Sequence, residues 1–259
     1  MSAIRVPIVE KILNANEQVA ELNRGVLDQA GVFSINLMAS PGAGKTSFIL
    51  RTIQAMQPDV KLGVVEGDTA PVTIDADKII AVGMPAVQIN TGGDCHLDAV
   101  MLKAGLQQLP LNDIDLLIVE NVGNLVCPAS FKLGTHKNIL VASIPEGDDK
   151  PYKYPGMYQG VDVLIINKLD LLPYIPFRMD FFQRGVVLAD LVDGAALVRL
   201  GYLRNVVESR AREVAVFRQP PGERLGRFGQ QGQNLWHAVD FAADLADRTL
   251  PYLEHVLGG

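Results

Sequence analysis

The sequence predicts an α/β fold in which helices flank a mostly parallel, doubly wound sheet. Six short runs are apolar almost throughout rather than alternating, which is typical of strands buried on both faces of a parallel sheet. Helical patterns separate several of these runs and give the β-α-β order of this class. The predicted strands are 33–39, 62–67, 85–90, 115–121, 138–144 and 161–167, and the predicted helices between them are 45–56, 74–82 and 96–109.

The ends of the chain extend this domain. Residues 1–30 are predicted to form an amphipathic helix that packs on the domain, and residues 31–259 to form the domain itself. The expected apolar face of that helix consists of Ile8, Ile12, Val19, Leu22 and Val26. After Asp170 the pattern is less regular, and residues 190–233 are predicted to form an irregular segment. The elements predicted in the region are helices at 176–190 and 195–210, a last strand at 212–218 and a closing helix at 234–256.

Composition narrows the class of protein. The 259 residues are 48% hydrophobic, which suffices for a substantial core, and the net charge of −6 argues against a nucleic-acid-binding surface. Two cysteines do not make a disulfide framework and indicate a reducing compartment. We find no signal peptide and no apolar run long enough to span a bilayer, so we expect a cytoplasmic protein with no nucleic-acid or membrane partner.

Residues 39–46, ASPGAGKT, follow the first predicted strand and precede a helix. They fit the phosphate-binding loop G-x-x-x-x-G-K-[ST], with Ala39 in place of the first glycine, and predict a P-loop NTPase. Lys45 is expected to reach the β- and γ-phosphates, and Thr46 to offer its hydroxyl to Mg²⁺. The predicted nucleotide contacts of this loop are Pro41, Gly42, Ala43, Gly44, Lys45, Thr46 and Ser47.

A second nucleotide motif, NKLD (167–170), ends the last well-formed predicted strand, where ligands of open parallel sheets bind. A carboxylate can accept hydrogen bonds from the N1–H and the exocyclic amine of guanine, which adenine does not present. We assign this role to Asp170, with Asn167 at the base edge and Lys168 along the ring. The predicted nucleotides are therefore GTP and GDP.

Two acidic motifs end the second and fourth predicted strands, Glu66-Gly67-Asp68 and Glu120-Asn121-Val122-Gly123. Glu120 and Asp68 are candidates for holding Mg²⁺ with Thr46, and Asp68 is alternatively the group that orients the attacking water. Gly123 would let the backbone approach the γ-phosphate. The predicted catalytic residues are Lys45, Asp68 and Glu120.

The segment NTGGDCHLDAVM (90–101) contains Cys95 followed directly by His96. Taken alone, the pair is compatible with a metal site, a reactive thiol or the start of an ordinary helix. The second cysteine, Cys127, follows the fourth predicted strand, so the two cysteine segments can meet at the nucleotide edge of the sheet. Thiolate and imidazole suit Zn²⁺ and Ni²⁺, but adjacent ligands in a relaxed helix cannot both grip one ion ideally.

Long strings of the sequence resemble the HypB family, GTPases that assist nickel insertion during maturation of [NiFe]-hydrogenase. They are SPGAGKT, VVEGD, PAVQINTGGDCHLDA, IVENVGNLVCPASFKLG, EGDDKPYKYP and VLIINKLDLLPY, and together they lie within about residues 5–185. The related UreG proteins are expected to carry Cys-Pro-His in place of Cys-His. The resemblance implies a SIMIBI-type P-loop fold, GTP hydrolysis, a GTP-dependent homodimer, and Cys95, His96 and Cys127 as ligands of Ni²⁺ or Zn²⁺.

The same resemblance implies a nickel chaperone and other hydrogenase-maturation proteins as partners, and the hydrogenase large subunit as recipient. One chain supplies three soft ligands, so a site shared by two chains across a two-fold axis is expected. Lys153, or Lys150, could reach the partner's nucleotide. The alternatives are a nickel or zinc storage or regulatory protein with a nucleotide site, and a GTPase chaperone for another metalloenzyme such as urease.

Overall fold

The computed structural model describes residues 8–70, 73–191, 206–207 and 214–218. The chain divides into two compact units, residues 1–139 and 140–259. The first unit alternates helices and strands in the predicted order. Its elements are α1 (Ile8–Ala30), β1 (Phe33–Ala39), α2 (Lys45–Met56), β2 (Leu62–Asp68), α3 (Ile74–Ala81), β3 (Ala86–Asn90), α4 (Ala99–Leu106) and β4 (Leu116–Glu120).

The strands of the first unit lie in the order β3-β2-β4-β1. All three pairings are parallel, with Leu37 opposite Glu120, and Glu66 opposite Glu120 from the other side. The chain therefore leaves β1, builds β2 and β3 outward, and returns to insert β4 between β2 and β1. Because the strands are parallel, the loops that follow them all emerge at one edge, which confirms the predicted α/β class and gathers the predicted motifs of this unit there.

Hydrophobic burial explains why these strands lack alternation. Every residue of β4 is buried, and in β2 only the terminal Asp68 is partly exposed. Leu97, Leu117 and Val119 belong to a core cluster that also takes in Leu27 of α1 and Leu133. A strand buried on both faces needs apolar side chains at odd and even positions alike.

The predicted apolar face of α1 is wrong at three of its residues, while Val19 is half-buried and the side chain of Ile8 lies outside the described residues. Ile12, Leu22 and Val26 are 52%, 58% and 45% exposed, whereas Asn16 and Asn23 are buried at 7% and 1%. The two asparagine side chains bond to backbone groups elsewhere in the unit, so their burial leaves few polar groups unpaired. Hydrophobic patterning identifies only apolar faces as buried, so it misses a helix face whose buried side chains are asparagines bonded to the backbone.

Helix α4 begins three residues later than predicted. Asp98 is its N-cap, and the carboxylate accepts a hydrogen bond of 2.7 Å from the backbone N–H of Met101. Cys95 and His96 consequently lie in a non-helical segment before the helix. The objection that adjacent ligands in a relaxed helix cannot share an ion does not apply to this geometry.

The boundary between the units falls within β5 (Lys137–Ser143), and the second unit continues with α5 (Lys150–Lys153), β6 (Val163–Asn167), α6 (Met179–Leu191), β7 (Val206–Val207) and β8 (Val214–Arg218). Its strand order is β5-β6-β8-β7, and β8 runs antiparallel to both β6 and β7. The predicted helix near 176–190 and the last strand near 212–218 are confirmed.

The predicted helix over 195–210 is wrong at 206–207, because these residues pair as a strand with β8. The rest of that helix, most of the predicted irregular segment 190–233 and the closing helix 234–256 lie outside the described residues. Among the described helices, none combines the length and the apolar character needed to cross a bilayer.

Candidate nucleotide and metal site

The phosphate-binding loop joins β1 to α2 in a tight turn. Gly42 and Gly44 have φ angles of 72° and 108°, a left-handed conformation that side-chain-bearing residues rarely adopt, and Gly44 is the N-cap of α2. The first amides of α2 therefore face the end of the sheet, where the helix dipole favours an anion. Lys45 begins the helix and is buried, and Thr46 follows it.

Carboxylates surround the hydroxyl of Thr46. Its Oγ1 lies 3.2 Å from Glu120 Oε1 and 3.1 Å from Asp75 Oδ2, so the single O–H can donate to either carboxylate. Glu66 occupies the register position opposite Glu120 on the neighbouring strand. The second carboxylate oxygens of Glu66 and Glu120 are buried and have no hydrogen-bond partner. Carboxylate and hydroxyl oxygens of this kind are the ligands that Mg²⁺ prefers.

Burial perturbs these acids strongly. Desolvation raises the pKa of Glu120 to about 7, against the opposing pull of the Lys45 ammonium group and the Thr46 hydroxyl. Desolvation also raises the pKa of Glu66 to about 7, and the charge of Glu120 adds to that shift. A divalent cation placed among these groups would favour their ionised forms, because opposite charge stabilises a carboxylate.

Asp68 ends β2 as predicted, but its carboxylate accepts from the backbone N–H of Ala70 at 3.2 Å. The group beside Thr46 is Asp75, which the sequence reasoning missed. Asp75 lies in the first turn of α3, where an acidic residue also complements the helix dipole. An acidic residue in the first turn of a helix is common, so the sequence alone did not distinguish Asp75 as a site residue from one that only stabilises the helix.

The loop after β4 packs tightly against the phosphate-binding loop. A Cβ atom on Gly123 would lie 3.0 Å from the backbone N and Cα of Pro41, so only glycine fits without movement. The backbone N–H of Asn124 donates to the carbonyl of Ala39 at 2.9 Å. This contact places the ENVGN segment directly beside the loop predicted to hold the phosphates.

The predicted soft ligands converge in the first unit. Candidate ligand atoms of Cys95, His96 and Cys127 all lie within 4.8 Å of one another. The two Sγ atoms are 3.0 Å apart, and Cys95 Sγ is 3.9 Å from His96 Nδ1. Phe131 supports the imidazole, with ring centroids 4.0 Å apart. Two sulfur atoms and a ring nitrogen at this spacing can ligate a single ion of borderline softness.

The two cysteines are partly exposed rather than sealed in the core. The hydrogen bond with Cys95, burial and the charge of Cys95 raise the pKa of the Cys127 thiol. Two thiolates so close repel each other, and a bound cation relieves that repulsion by favouring both deprotonated forms. The raised pKa disfavours a free thiolate at Cys127, whereas a cation bound by both sulfur atoms would favour their ionised forms.

Two asparagines of the ENVGN segment contact the segment that carries Cys95 and His96. Asn121 follows Glu120, and its Oδ1 accepts from the backbone N–H of Leu97 at 3.0 Å. Asn124 Nδ2 donates to the carbonyl of Cys95 at 3.3 Å. The segment that packs on the phosphate-binding loop thus also holds the backbone on both sides of His96.

The predicted guanine residues lie in the second unit, at the end of β6. Lys168 has a φ of 62°, and its backbone N–H donates to Asn167 Oδ1 at 2.8 Å. Asp170 is exposed. Lys153 lies in the same unit with its ammonium group 2.5 Å from the carboxylate of Asp149, which also pairs with Lys150 at 3.3 Å.

Comparison with known proteins agrees with the fold. Residues 33–184 match the family described as CobW/HypB/UreG, nucleotide-binding domain. The hydrogenase maturation factor HypB of Escherichia coli is 45% identical over 181 residues, which are 70% of this chain, and this chain spans 62% of that relative's length. The hydrogenase/urease maturation factor HypB of Helicobacter hepaticus is 43% identical over 178 residues, 67% of this chain and 72% of that protein.

Among solved structures, that of HypB from Helicobacter pylori in complex with nickel is 39% identical, with a TM-score of 0.64. The similarity covers 68% of this chain and 82% of the Helicobacter pylori chain. Residues 33–184, which match the family, contain the phosphate-binding loop, the ENVGN segment and both cysteines. The chain is a member of the CobW/HypB/UreG nucleotide-binding family, and its similarity is to the HypB proteins within it.

Proposed function

We propose that this protein is a GTP-hydrolysing metallochaperone that binds nickel and assists its insertion into [NiFe]-hydrogenase. The observation that carries the proposal is the convergence of Cys95, His96 and Cys127 on a segment that also contacts the phosphate-binding loop. A storage protein needs many ligands and no such connection. A chaperone needs few ligands, and its affinity for the metal must depend on the bound nucleotide.

Nickel is the cargo in this proposal, and Zn²⁺ is the competing ion for the same three ligands. One chain provides two thiolates and one imidazole, which leaves positions open on a four-coordinate ion. Open positions allow a second chain or a recipient to supply ligands without first stripping the ion. We propose that two copies meet at this cluster in the GTP state and share the metal across a two-fold axis.

The nucleotide chemistry is assigned to the first unit. Lys45 and the amides of Gly42 to Thr46 stabilise the negative charge of the β- and γ-phosphates, and Gly123 lets the backbone come close to the γ-phosphate. Mg²⁺ fits the acidic oxygens around Thr46, with Glu120 and Asp75 beside the hydroxyl and two buried carboxylate oxygens unpartnered. When bound, it would neutralise phosphate charge; Asp68 then remains for orienting the attacking water.

For the base, we propose that Asp170 accepts hydrogen bonds from guanine, with Asn167 at the base edge and Lys168 along the ring. Support comes from their position at the end of β6 and from the left-handed backbone of Lys168, which turns the motif sharply. Lys153 is proposed to act on the partner's nucleotide. That role requires it to leave Asp149, so the dimer must offer a stronger anionic partner.

The names of the relatives support a proposal for the recipient. The Escherichia coli relative is named for hydrogenase maturation, and we propose the hydrogenase large subunit as recipient, with a nickel chaperone and other maturation proteins as partners. A second candidate is delivery to urease, because the Helicobacter hepaticus relative carries both enzymes in its name. Nickel transfer to each purified apo-enzyme distinguishes the two recipients.

The metal proposal is tested by titrating Ni²⁺ and Zn²⁺ into the wild type and Cys95→Ala. Each titration is done with GDP and with a non-hydrolysable GTP analogue. We expect tight binding to the wild type, an affinity that differs between the two nucleotides, and loss of the tight site in Cys95→Ala. A stoichiometry that does not depend on Cys95 overturns the site assignment.

The dimer proposal is tested by sedimentation of the same samples. We expect the GTP analogue to produce a dimer that GDP does not, and Lys153→Ala to weaken hydrolysis without changing metal binding. Equal sedimentation with both nucleotides removes the dimer from the proposal. Unchanged hydrolysis in Lys153→Ala removes only the role of that residue.

A further inference from the structure

Helix α1 is hydrogen-bonded to both segments that carry the metal ligands. Asn16 Oδ1 accepts from the backbone N–H of Ala99 at 2.8 Å, and Asn16 Nδ2 donates to the carbonyl of Lys132 at 2.7 Å. Ala99 lies three residues after His96, and Lys132 lies five residues after Cys127. A single side chain of α1 therefore bridges the two ligand-bearing segments.

Asn23 repeats this bridge two turns further along the helix. Its Nδ2 donates to the carbonyl of Ala99 at 2.8 Å and to that of Leu133 at 3.1 Å. Arg24 Nε donates to the carbonyl of Gly134 at 2.7 Å. A Cβ atom on Gly134 would overlap the carbonyl of Ala20, so the segment lies directly on the helix backbone.

Apolar packing fixes the same three parts. Leu27 of α1, Leu97 beside His96, and Leu133 beyond Cys127 are buried in one core cluster. A buried backbone group that loses its hydrogen-bond partner destabilises the folded state. The correct placement of α1 and of the two segments therefore depends on each other. The Oδ1 atom of Asn23 is itself buried without a partner, a cost that persists only where surrounding contacts outweigh it.

We propose that Asn16 and Asn23 are positioning residues of the metal centre, and that the seating of α1 and metal binding stabilise each other. The proposal rests on the proposed function for the identity of the metal ligands. A helix that holds both ligand segments brings the two thiols and the imidazole into range before the ion arrives. By reciprocity, a bound ion that ties the segments together must stabilise the helix on them.

This linkage gives α1 a regulatory role. Whatever lifts α1 from Ala99 and residues 132–134 would separate the Cys95 and Cys127 segments and lower metal affinity. Metal release could then be driven through a helix that supplies no ligand. The effect on nucleotide binding is expected to be small, because the four backbone groups that the two asparagines contact belong to the metal segments and not to the phosphate-binding loop.

The test compares Asn16→Ala and Asn23→Ala with Asn14→Ala, an exposed asparagine on the same helix. We measure Ni²⁺ and Zn²⁺ affinity and the thiolate-to-nickel charge-transfer absorption. Removal of groups that orient metal ligands typically weakens metal binding about 10- to 100-fold, and we expect at least about tenfold for each buried variant. Asn14→Ala should bind as the wild type does, and GTP affinity should be unchanged in all three.

A general loss of stability is separated from positioning by Ile53→Val, a core truncation in α2 outside these segments. It should lower the melting temperature while leaving the absorption band and the metal affinity intact. If Asn16→Ala and Asn23→Ala bind metal as the wild type does, or if Ile53→Val loses metal as they do, the proposal is overturned. A wild-type protein without metal at Cys95 would be a different result, because it would refute the proposed function rather than the positioning role.

Hydrogen exchange on the wild type tests the linkage without any substitution that could prevent folding. Amides of residues 8–30 should exchange more slowly with Ni²⁺ or Zn²⁺ bound than without it, while those of α2 change little. In Cys95→Ala, added metal should leave α1 exchange unaltered. Equal exchange of α1 in the metal-free and metal-bound wild type contradicts the linkage.

Discussion

Removal of the Asn121 side chain should lower the free energy of unfolding. It is fully buried, and its Oδ1 accepts from the backbone N–H groups of Leu97 and Val122 at 3.0 and 2.9 Å. Its Nδ2 donates to Asn36 Oδ1 at 3.2 Å. Asn121→Ala leaves these three buried polar groups without their partner.

The magnitude follows from those three groups. A buried donor or acceptor that loses its partner costs about 1–3 kcal/mol. Taking the low end for each, because a water molecule can enter the space that the amide leaves, the free energy of unfolding should fall by about 3 kcal/mol. The Leu97 amide adjoins His96, so metal affinity should fall as well.

The assay is guanidinium denaturation followed by circular dichroism, with Asn112→Ala as the matched control. Asn112 is exposed in the turn before β4, so its replacement should stay within about 0.5 kcal/mol of the wild type. A loss below about 1 kcal/mol in Asn121→Ala would mean that the three bonds contribute little. That result would refute the argument that this amide joins β4 to the metal segment.

Three further predictions concern the first unit. Gly134→Ala should destabilise the protein and raise hydrogen exchange in α1, because the new Cβ overlaps the carbonyl of Ala20; an unchanged melting temperature would contradict this. Thr46→Val should abolish GTP hydrolysis in a phosphate-release assay, because it removes the hydroxyl beside Glu120 while keeping the side-chain volume; retained turnover would exclude the hydroxyl. Burial lowers the pKa of His136, so the folded state favours the neutral imidazole. The stabilisation from this residue is complete above the unfolded pKa of 6.5 and declines as the pH falls below it. His136→Gln should remove that part of the acid sensitivity of the melting temperature.

The strands and the phosphate-binding loop were predictable because each is encoded locally. The apolar runs of β2 and β4 need no partner to be recognised, and the Gly-Lys-Thr turn depends on backbone freedom at two glycines. Asp75 was not predicted as a member of the site, and Glu66 was named only as part of the acidic motif that ends β2. Their importance lies in distances to Thr46 and Glu120 across separate strands and a helix, which no spacing along the chain expresses.

The face of α1 shows where sequence patterning fails. Its apolar stripe reads as the buried side, yet Asn16 and Asn23 occupy that side because backbone groups of distant segments supply their hydrogen bonds. The sequence by itself predicted the order of strands and helices and the phosphate-binding loop, since these depend on residue type and local spacing. Its resemblance to a family made Cys95, His96 and Cys127 the candidate soft ligands. Tertiary structure alone decided that Cys95 and Cys127 meet, that Asp75 joins Thr46 and that α1 is hydrogen-bonded to the segments of both cysteines, because burial and hydrogen bonding act between residues that the chain keeps far apart.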